Sequence, residues 1–204
     1  MANHWPLTKP DDGVAEHVAT LFGDALTAVD VQGGELTLTI RRDALVTVAQ
    51  GLRDDPDLSY EQLIDIAGVD YPDRPERFEV VYQFLSLTRN RRIRVRVSTD
   101  DVQPLASLTG LWPCADWWER EVYDCYGVLF EGHPDLRRIL TDYGFSGHPF
   151  RKDFPLTGHV ELRYSETEKR VVYEPVKLAQ DLRNFDFLSP WEGTDYVLPG
   201  DEKA

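Results

Sequence analysis

Within residues 91–99, RRIRVRVST, charged and apolar side chains alternate from Arg92 to Val97. Side chains on a strand point to opposite faces at every second residue. Ile93, Val95 and Val97 therefore share one face, and Arg92, Arg94 and Arg96 the other. A helix would scatter both sets, so this run predicts a strand with one face on a core. Two neighbouring runs, EQLIDIAGVDY (61–71) and RFEVVYQFLSL (77–87), are rich in β-branched and aromatic residues and read as further strands. The turn at Arg89-Asn90 folds the last strand back on its predecessor.

The residues before these strands predict the rest of the first domain. LTAVDVQGGELTLTI (26–40) reads as two strands around Gln32-Gly33-Gly34, with Leu36, Leu38 and Ile40 on the core face and Thr37 and Thr39 opposite. In DDGVAEHVATLFGD, Val14, Val18, Leu21 and Phe22 recur on one helical face, with Asp11 or Asp12 as cap. RRDALVTVAQGLRDD predicts a second helix burying Leu45, Val48, Ala49 and Leu52, with Asp43 near its start. The order α-β-β-α-β-β-β predicts an α+β fold: helices layered on a mostly antiparallel sheet, near the ferredoxin-like type, over residues 1–110.

Charge narrows the partners. The 204 residues carry a net charge of −14, which disfavours binding to bulk nucleic acid or anionic lipid. RNRRIRVRV holds five arginines but lacks interleaved stacking aromatics on the same face. It reads as a solvated outer face or a protected edge, with an RNA track or an acidic partner as alternatives. No apolar run approaches the ~20 residues that span a bilayer. The opening MANHWPLTKPDDG has no apolar core of a signal peptide, so a cytoplasmic or mature chain is expected. Cys114 and Cys125, eleven apart, fit no metal or redox spacing and read as ordinary thiols.

The densest stretch is WWEREVYDCYGVLFEGHPDLRRIL, residues 117–140. From Ala115 to Tyr126 it predicts a helix ended by Gly127, with Trp118, Val122, Cys125 and Tyr126 packed on the sheet. Trp117 and Tyr123 fall outside that stripe, so the helix has little solvent face to spare. Glu119, Arg120, Glu121 and Asp124 should be at least partly buried and therefore partnered, with Asp116–Arg120 and Arg120–Asp124 as i,i+4 pairs. VLFEG reads as extended. HPDLRRIL predicts a new helical turn, with Pro134 first and His133 just before. The segment 111–141 reads as an interface element presenting fixed charges to another protein.

Catalysis has no visible seat. Glu119 and Glu121 diverge on a helix. His133 and His148, each in a Gly-His-Pro triplet, lack further zinc ligands and read as turn or cap residues. Phosphate, dinucleotide, flavin and hydrolase motifs are absent from the sequence. No catalytic, cofactor-binding or metal residue is therefore expected. Residues 142–204 lose periodicity but stay rich in aromatics, which predicts an ordered arm that buries them against other chains. It contains a hairpin near VELRYSETEKRVVYEP and a possible short helix in VKLAQDLRNF. Arg151-Lys152 beside Asp153 fits an anchored, paired segment.

EREVYDCYGVLFEGHPDLRRIL resembles the signature of the 30-kDa (C) subunit of respiratory complex I, the proton-pumping NADH:quinone oxidoreductase, at Glu119, Arg120, Glu121, Asp124, Tyr126, His133, Arg137, Ile139 and Leu140. LTDYGFSGHPFRKDFPLTGHVELRY, EPVKLAQDLRNFDFLSPWE and YPDRPERFEVVYQFLSL are also similar to that family, notably its mitochondrial-type, alphaproteobacterial-like branch. The likeness is close over roughly residues 60–193 and weaker over the first 55. Cys125 departs from it, standing where the family more often has a large apolar residue. The resemblance implies a cofactor-free peripheral-arm subunit packed on the 49-kDa quinone-site (D) subunit and neighbouring iron–sulfur subunits. Electrons would pass from NADH through FMN and iron–sulfur clusters on those partners to quinone, coupled to proton translocation. It extends the interface set to Trp117, Gly127, Pro134, Arg138, His148, Pro149, Arg151, Lys152 and Asp153. It implies the cytoplasmic side of a bacterial inner membrane, with the mitochondrial matrix side as alternative. An equivalent subunit of a membrane hydrogenase-type complex and a free-standing RNA-binding module are the other readings.

Overall fold

The computed structural model describes residues 13–180, Gly33 excepted. The element order is α1 (Val14–Phe22), β1 (Leu26–Gln32), β2 (Glu35–Ile40), α2 (Leu45–Asp54), β3 (Gln62–Asp70), β4 (Phe78–Ser86), β5 (Arg91–Thr99), β6 (Leu105–Ala106), α3 (Ala115–Tyr126), β7 (Phe130–Glu131), β8 (Val160–Ser165) and β9 (Arg170–Pro175). The order expected over 1–110 is present. Strands β1 to β5 form one sheet in the order β1-β2-β5-β4-β3. Its pairs are antiparallel except β2 with β5, which α2 and the β3–β4 hairpin separate in sequence.

The core is the alternation made physical. Ile93, Val95 and Val97 are at most 1% exposed and pack with Leu36, Leu38, Val80, Tyr82 and Phe84. From α2, Leu45, Val48, Ala49 and Leu52 join them, as their spacing predicts. Val14 and Val18 of α1 do too, and Phe22 packs half-buried against them; of the expected apolar face only Leu21, 45% exposed, points out. Asp11 and Asp12 lie outside the described residues; at the described N-cap stands Gly13, at φ 80°. Thr37 is buried although it faces away from the core, because β2 is an interior strand flanked by β1 and β5.

The chain divides into two compact units, Met1–Leu156 and Thr157–Ala204. Residues 111–141 fold with the sheet in the first unit, and the break falls at 156/157 rather than at 110 or 142. Helix α3 packs on β3, with β6 and β7 as a small parallel pair. Gly68 makes the approach possible: a Cβ there would meet the Tyr126 ring at 2.5 Å. The second unit holds the expected hairpin, β8 with β9. Residues 176–180 of VKLAQDLRNF are not helical, and the remainder lies outside the described residues, as do residues 181–193 of the family-like arm.

Candidate functional site

The site is the surroundings of α3. The helix ends where Gly127 adopts φ 81° and donates its N–H to Tyr123 O at 2.8 Å. Glu119 and Asp124 are 0% exposed and Arg120 5%. A wholly buried carboxylate cannot be presented to another protein, so these charges act inside the chain.

Asp124 collects the segment that follows. Its Oδ2 accepts N–H groups of Ile139 (3.0 Å), Leu140 (2.7 Å) and Thr141 (2.8 Å). Its Oδ1 accepts the Thr141 hydroxyl at 2.6 Å and Arg138 Nη1 at 3.1 Å. Burial alone would raise this carboxyl, but the Thr141 hydroxyl and the three N–H groups hold it at about 2. Arg120 works from the same helix on the opposite polarity. Its Nε donates to Arg137 O (3.1 Å) and its Nη2 to Arg138 O (3.3 Å). Its guanidinium carbon also lies 5.4 Å from the centre of the Trp117 ring.

These bonds correct two expectations. Residues 133–141 form turns, bends and irregular backbone instead of a helix. Their N–H and C=O groups are claimed by Asp124 and Arg120 in place of i→i−4 partners. The i,i+4 pairs Asp116–Arg120 and Arg120–Asp124 give way to the same longer-range partners, with Asp124 pairing to Arg138 and Asp116 to His133.

Glu119 fastens the preceding connector. Its Oε1 accepts Leu108 N–H and its Oε2 the Ser107 hydroxyl, both at 2.7 Å. Burial pushes its carboxyl up from the usual range, and these two bonds only partly oppose that. The His133 side chain is 0% exposed. Its Nδ1 accepts Asp135 N–H at 3.0 Å, leaving Nε2 to donate toward Asp116 O and Oδ1, both at 3.2 Å. His133 is thus a buried turn residue bonded to the first turn of α3.

GHPFRKD (147–153) caps the other end of that helix. The last carbonyls of a helix lack intrahelical partners. Here Asp124 O accepts His148 Nδ1–H (2.8 Å), Cys125 O accepts Phe150 N–H (3.1 Å), and Tyr126 O accepts Arg151 Nε (2.7 Å). Burial holds His148 below the usual histidine range, which keeps it a neutral donor. Pro149 sits in the turn between those donors. A Cβ at Gly127 would meet Arg151 at 2.5 Å and His148 at 2.6 Å, so the glycine serves both the φ and the cap.

One cluster joins two stretches that the sequence marks only separately. Asp70, at the end of β3, takes two bonds from Arg77 (2.6 and 2.7 Å) and the N–H of Lys152 (2.7 Å). Arg77 also reaches Asp153 through two bonds of 3.0 Å. The Arg77 bonds come first in lowering the Asp70 carboxyl. Its local signals are the charge-rich YPDRPER turn between two apolar strands and the Arg151-Lys152-Asp153 run, which is anchored and paired as expected.

Other members of the expected set lie at the surface. Trp117 is 61% exposed, against the expectation that the helix has little solvent face, and Leu140 is 61% exposed while its N–H is bound. Pro134, Arg137 and Lys152 are exposed, and Glu121 and Tyr126 half-buried. Of the β5 arginines, Arg94 pairs with Glu35 at 3.0 Å and Arg96 with Glu79 at 3.7 Å. Carboxylates of the same chain thus occupy the proposed RNA track. His17, Asp55 and Asp57, not anticipated, bring ligand-type atoms within 4.8 Å of one another. Asp55 already accepts N–H groups of Asp57 and Leu58, and Asp57 faces Arg89 at 3.4 Å. The group is a loop clasp.

The class these features define is a structural α+β chain, whose buried charges lock a helix to the loops on both sides of it. Among the described residues no helix is long and apolar enough to cross a membrane. Comparison with known proteins narrows the class. Residues 38–160 match the family described as respiratory-chain NADH dehydrogenase, 30 Kd subunit. The C subunit of the NADH-quinone oxidoreductase of Novosphingobium aromaticivorans is 62% identical over 199 residues, 98% of this chain and 64% of its own length. Its counterparts in Erythrobacter litoralis and Maricaulis maris are 63% and 59% identical, with 79% and 96% of their lengths covered. A chain in the structure of the membrane-bound sulfane sulfur reductase, an archaeal respiratory membrane complex, shares the fold: TM-score 0.58 at 23% identity, over 69% of this chain and 83% of that one. The chain belongs to the 30-kDa subunit family of the respiratory-chain NADH dehydrogenase.

Proposed function

We propose that the chain is a scaffold in the peripheral arm of complex I, seated against the quinone-site D subunit and the neighbouring iron–sulfur subunits. FMN and the iron–sulfur clusters belong to those partners. They pass electrons from NADH to quinone, coupled to proton translocation, on the cytoplasmic side of a bacterial inner membrane. The chain itself contributes rigid surface and no reacting group. Supporting this is the use of the signature residues: Glu119, Arg120 and Asp124 are spent on the chain's own Ser107–Leu108 and Arg137–Thr141 segments. Such bonds fix the shape of a surface and occupy Glu119, Arg120 and Asp124 inside the chain.

The second reading, an equivalent subunit of a different membrane oxidoreductase, draws on the archaeal likeness alone, and that likeness concerns the fold. Purification of the tagged chain from its own membranes in gentle detergent separates the two. Recovery with flavin and iron–sulfur subunits, and with quinone-dependent NADH oxidation, is expected. Recovery without NADH oxidation would refute the complex I role.

A further inference from the structure

Strand β3 is the last strand of the five-stranded sheet. Tyr71 N–H donates to Arg77 O at 2.8 Å on the β4 side. Antiparallel pairing alternates with period two, so Gly68 and Ile66 turn their N–H and C=O groups away from β4, out of the sheet. Beside that edge runs a groove of about 510 Å³ between β3 and α3. Its floor and wall are mostly apolar, with Ile64, Val122 and Tyr126 among the lining. Its two charged lining residues, Asp65 and Glu121, are both acidic.

Sheet edges of soluble chains are usually blunted by lysine, proline or a covering element. LIDIAGV offers past its bulge one carboxylate and neither lysine nor proline. An edge that no described strand extends, beside a helix-lined apolar groove, is the geometry in which an extended segment adds as a new strand. Main-chain bonds supply affinity there, and alternate side chains enter the groove.

We infer that β3 is a strand-addition site, and that its occupant is an extended segment of a partner protein with alternating apolar side chains and a lysine or arginine. The basic residue answers Asp65 and Glu121; the apolar ones fill the groove. The added strand would extend the sheet to six strands and clamp α3 from its open side. This rests on the chain working inside a multi-subunit complex.

The test is residue-resolved hydrogen exchange of the free full-length chain and of the purified complex. Ile66 and Gly68 amides should exchange at least 100-fold more slowly in the complex. Ala67, which pairs toward β4, should be slow in both. Reversing the charges with Asp65→Lys and Glu121→Lys should speed Ile66 and Gly68 at least 10-fold in the complex and leave Ala67 unchanged, which separates lost docking from lost folding. Equal rates at Ile66 and Gly68 in free chain and complex would overturn the inference while leaving subunit membership intact. Slow exchange already in the dilute free chain would place a segment of this same chain on the edge and overturn it too. A chain recovered in no complex would refute the scaffold reading as well.

Discussion

Replacing Asp124 by asparagine keeps its shape and removes its charge. The carboxylate accepts five bonds, from three backbone N–H groups, the Thr141 hydroxyl and Arg138. An amide must turn its NH2 toward some of those donors, leaving them unsatisfied. The native carboxyl is held at about 2 against an ordinary 3.8. At roughly 1.4 kcal/mol per unit, that difference is worth about 2.5 kcal/mol. The displaced donors add about 1 kcal/mol more, so Asp124→Asn should cost about 3.5 kcal/mol at pH 7. Sign follows from linkage: a depressed carboxyl stabilises fully above its unfolded value and loses that contribution as pH falls through the folded one. The gap between parent and variant should therefore hold from pH 7 down to about 4 and narrow toward 2. Urea unfolding of both chains at several pH values measures it. A variant within ~0.5 kcal/mol of the parent at pH 7, or a gap that stays constant to pH 2, would refute the reasoning.

Three further outcomes follow from the same bonds. Glu119→Gln should cost at least ~1 kcal/mol less than Asp124→Asn by urea unfolding at pH 7, because burial already works against the Glu119 charge. Gly127→Ala forces a β-carbon into φ 81° and onto His148 and Arg151; thermal unfolding should register a loss of about 2–3 kcal/mol, and the Phe150 amide should exchange faster. Arg94→Ala breaks a partly exposed pair with Glu35 and should change stability by less than ~1 kcal/mol in the same assay.

The sheet is legible in the sequence because its signals are local. Ile93, Val95 and Val97 announce their strand by alternation, and Leu45, Val48, Ala49 and Leu52 their helix by spacing. The boundaries of α3 are readable from Gly127 and the aromatic stripe. Burial of its charges follows from the same stripe, but their partners do not. Asp124 reaches 14 to 17 residues along the chain and Arg120 17 to 18, distances that no helical periodicity encodes. For the same reason HPDLRRIL looks helical: its Pro134 start signal is real, but side-chain oxygen replaces the backbone acceptors at 139–141. The Asp70–Arg77–Asp153 cluster spans 83 residues, the difference between 153 and 70, and only the chain's fold brings it together. His148 reads as a cap, and it caps; which helix it serves is not encoded in GHPFRKD alone.

In the proposed scaffold, the signature charges hold this chain in shape and take no part in electron transfer. The most direct test is Asp124→Asn in the native membrane, with assembled complex counted by its flavin content and NADH-quinone turnover measured per flavin. Less assembled complex is expected, each copy turning over at the parent rate. A full complement of complex with reduced turnover per flavin would contradict the scaffold role.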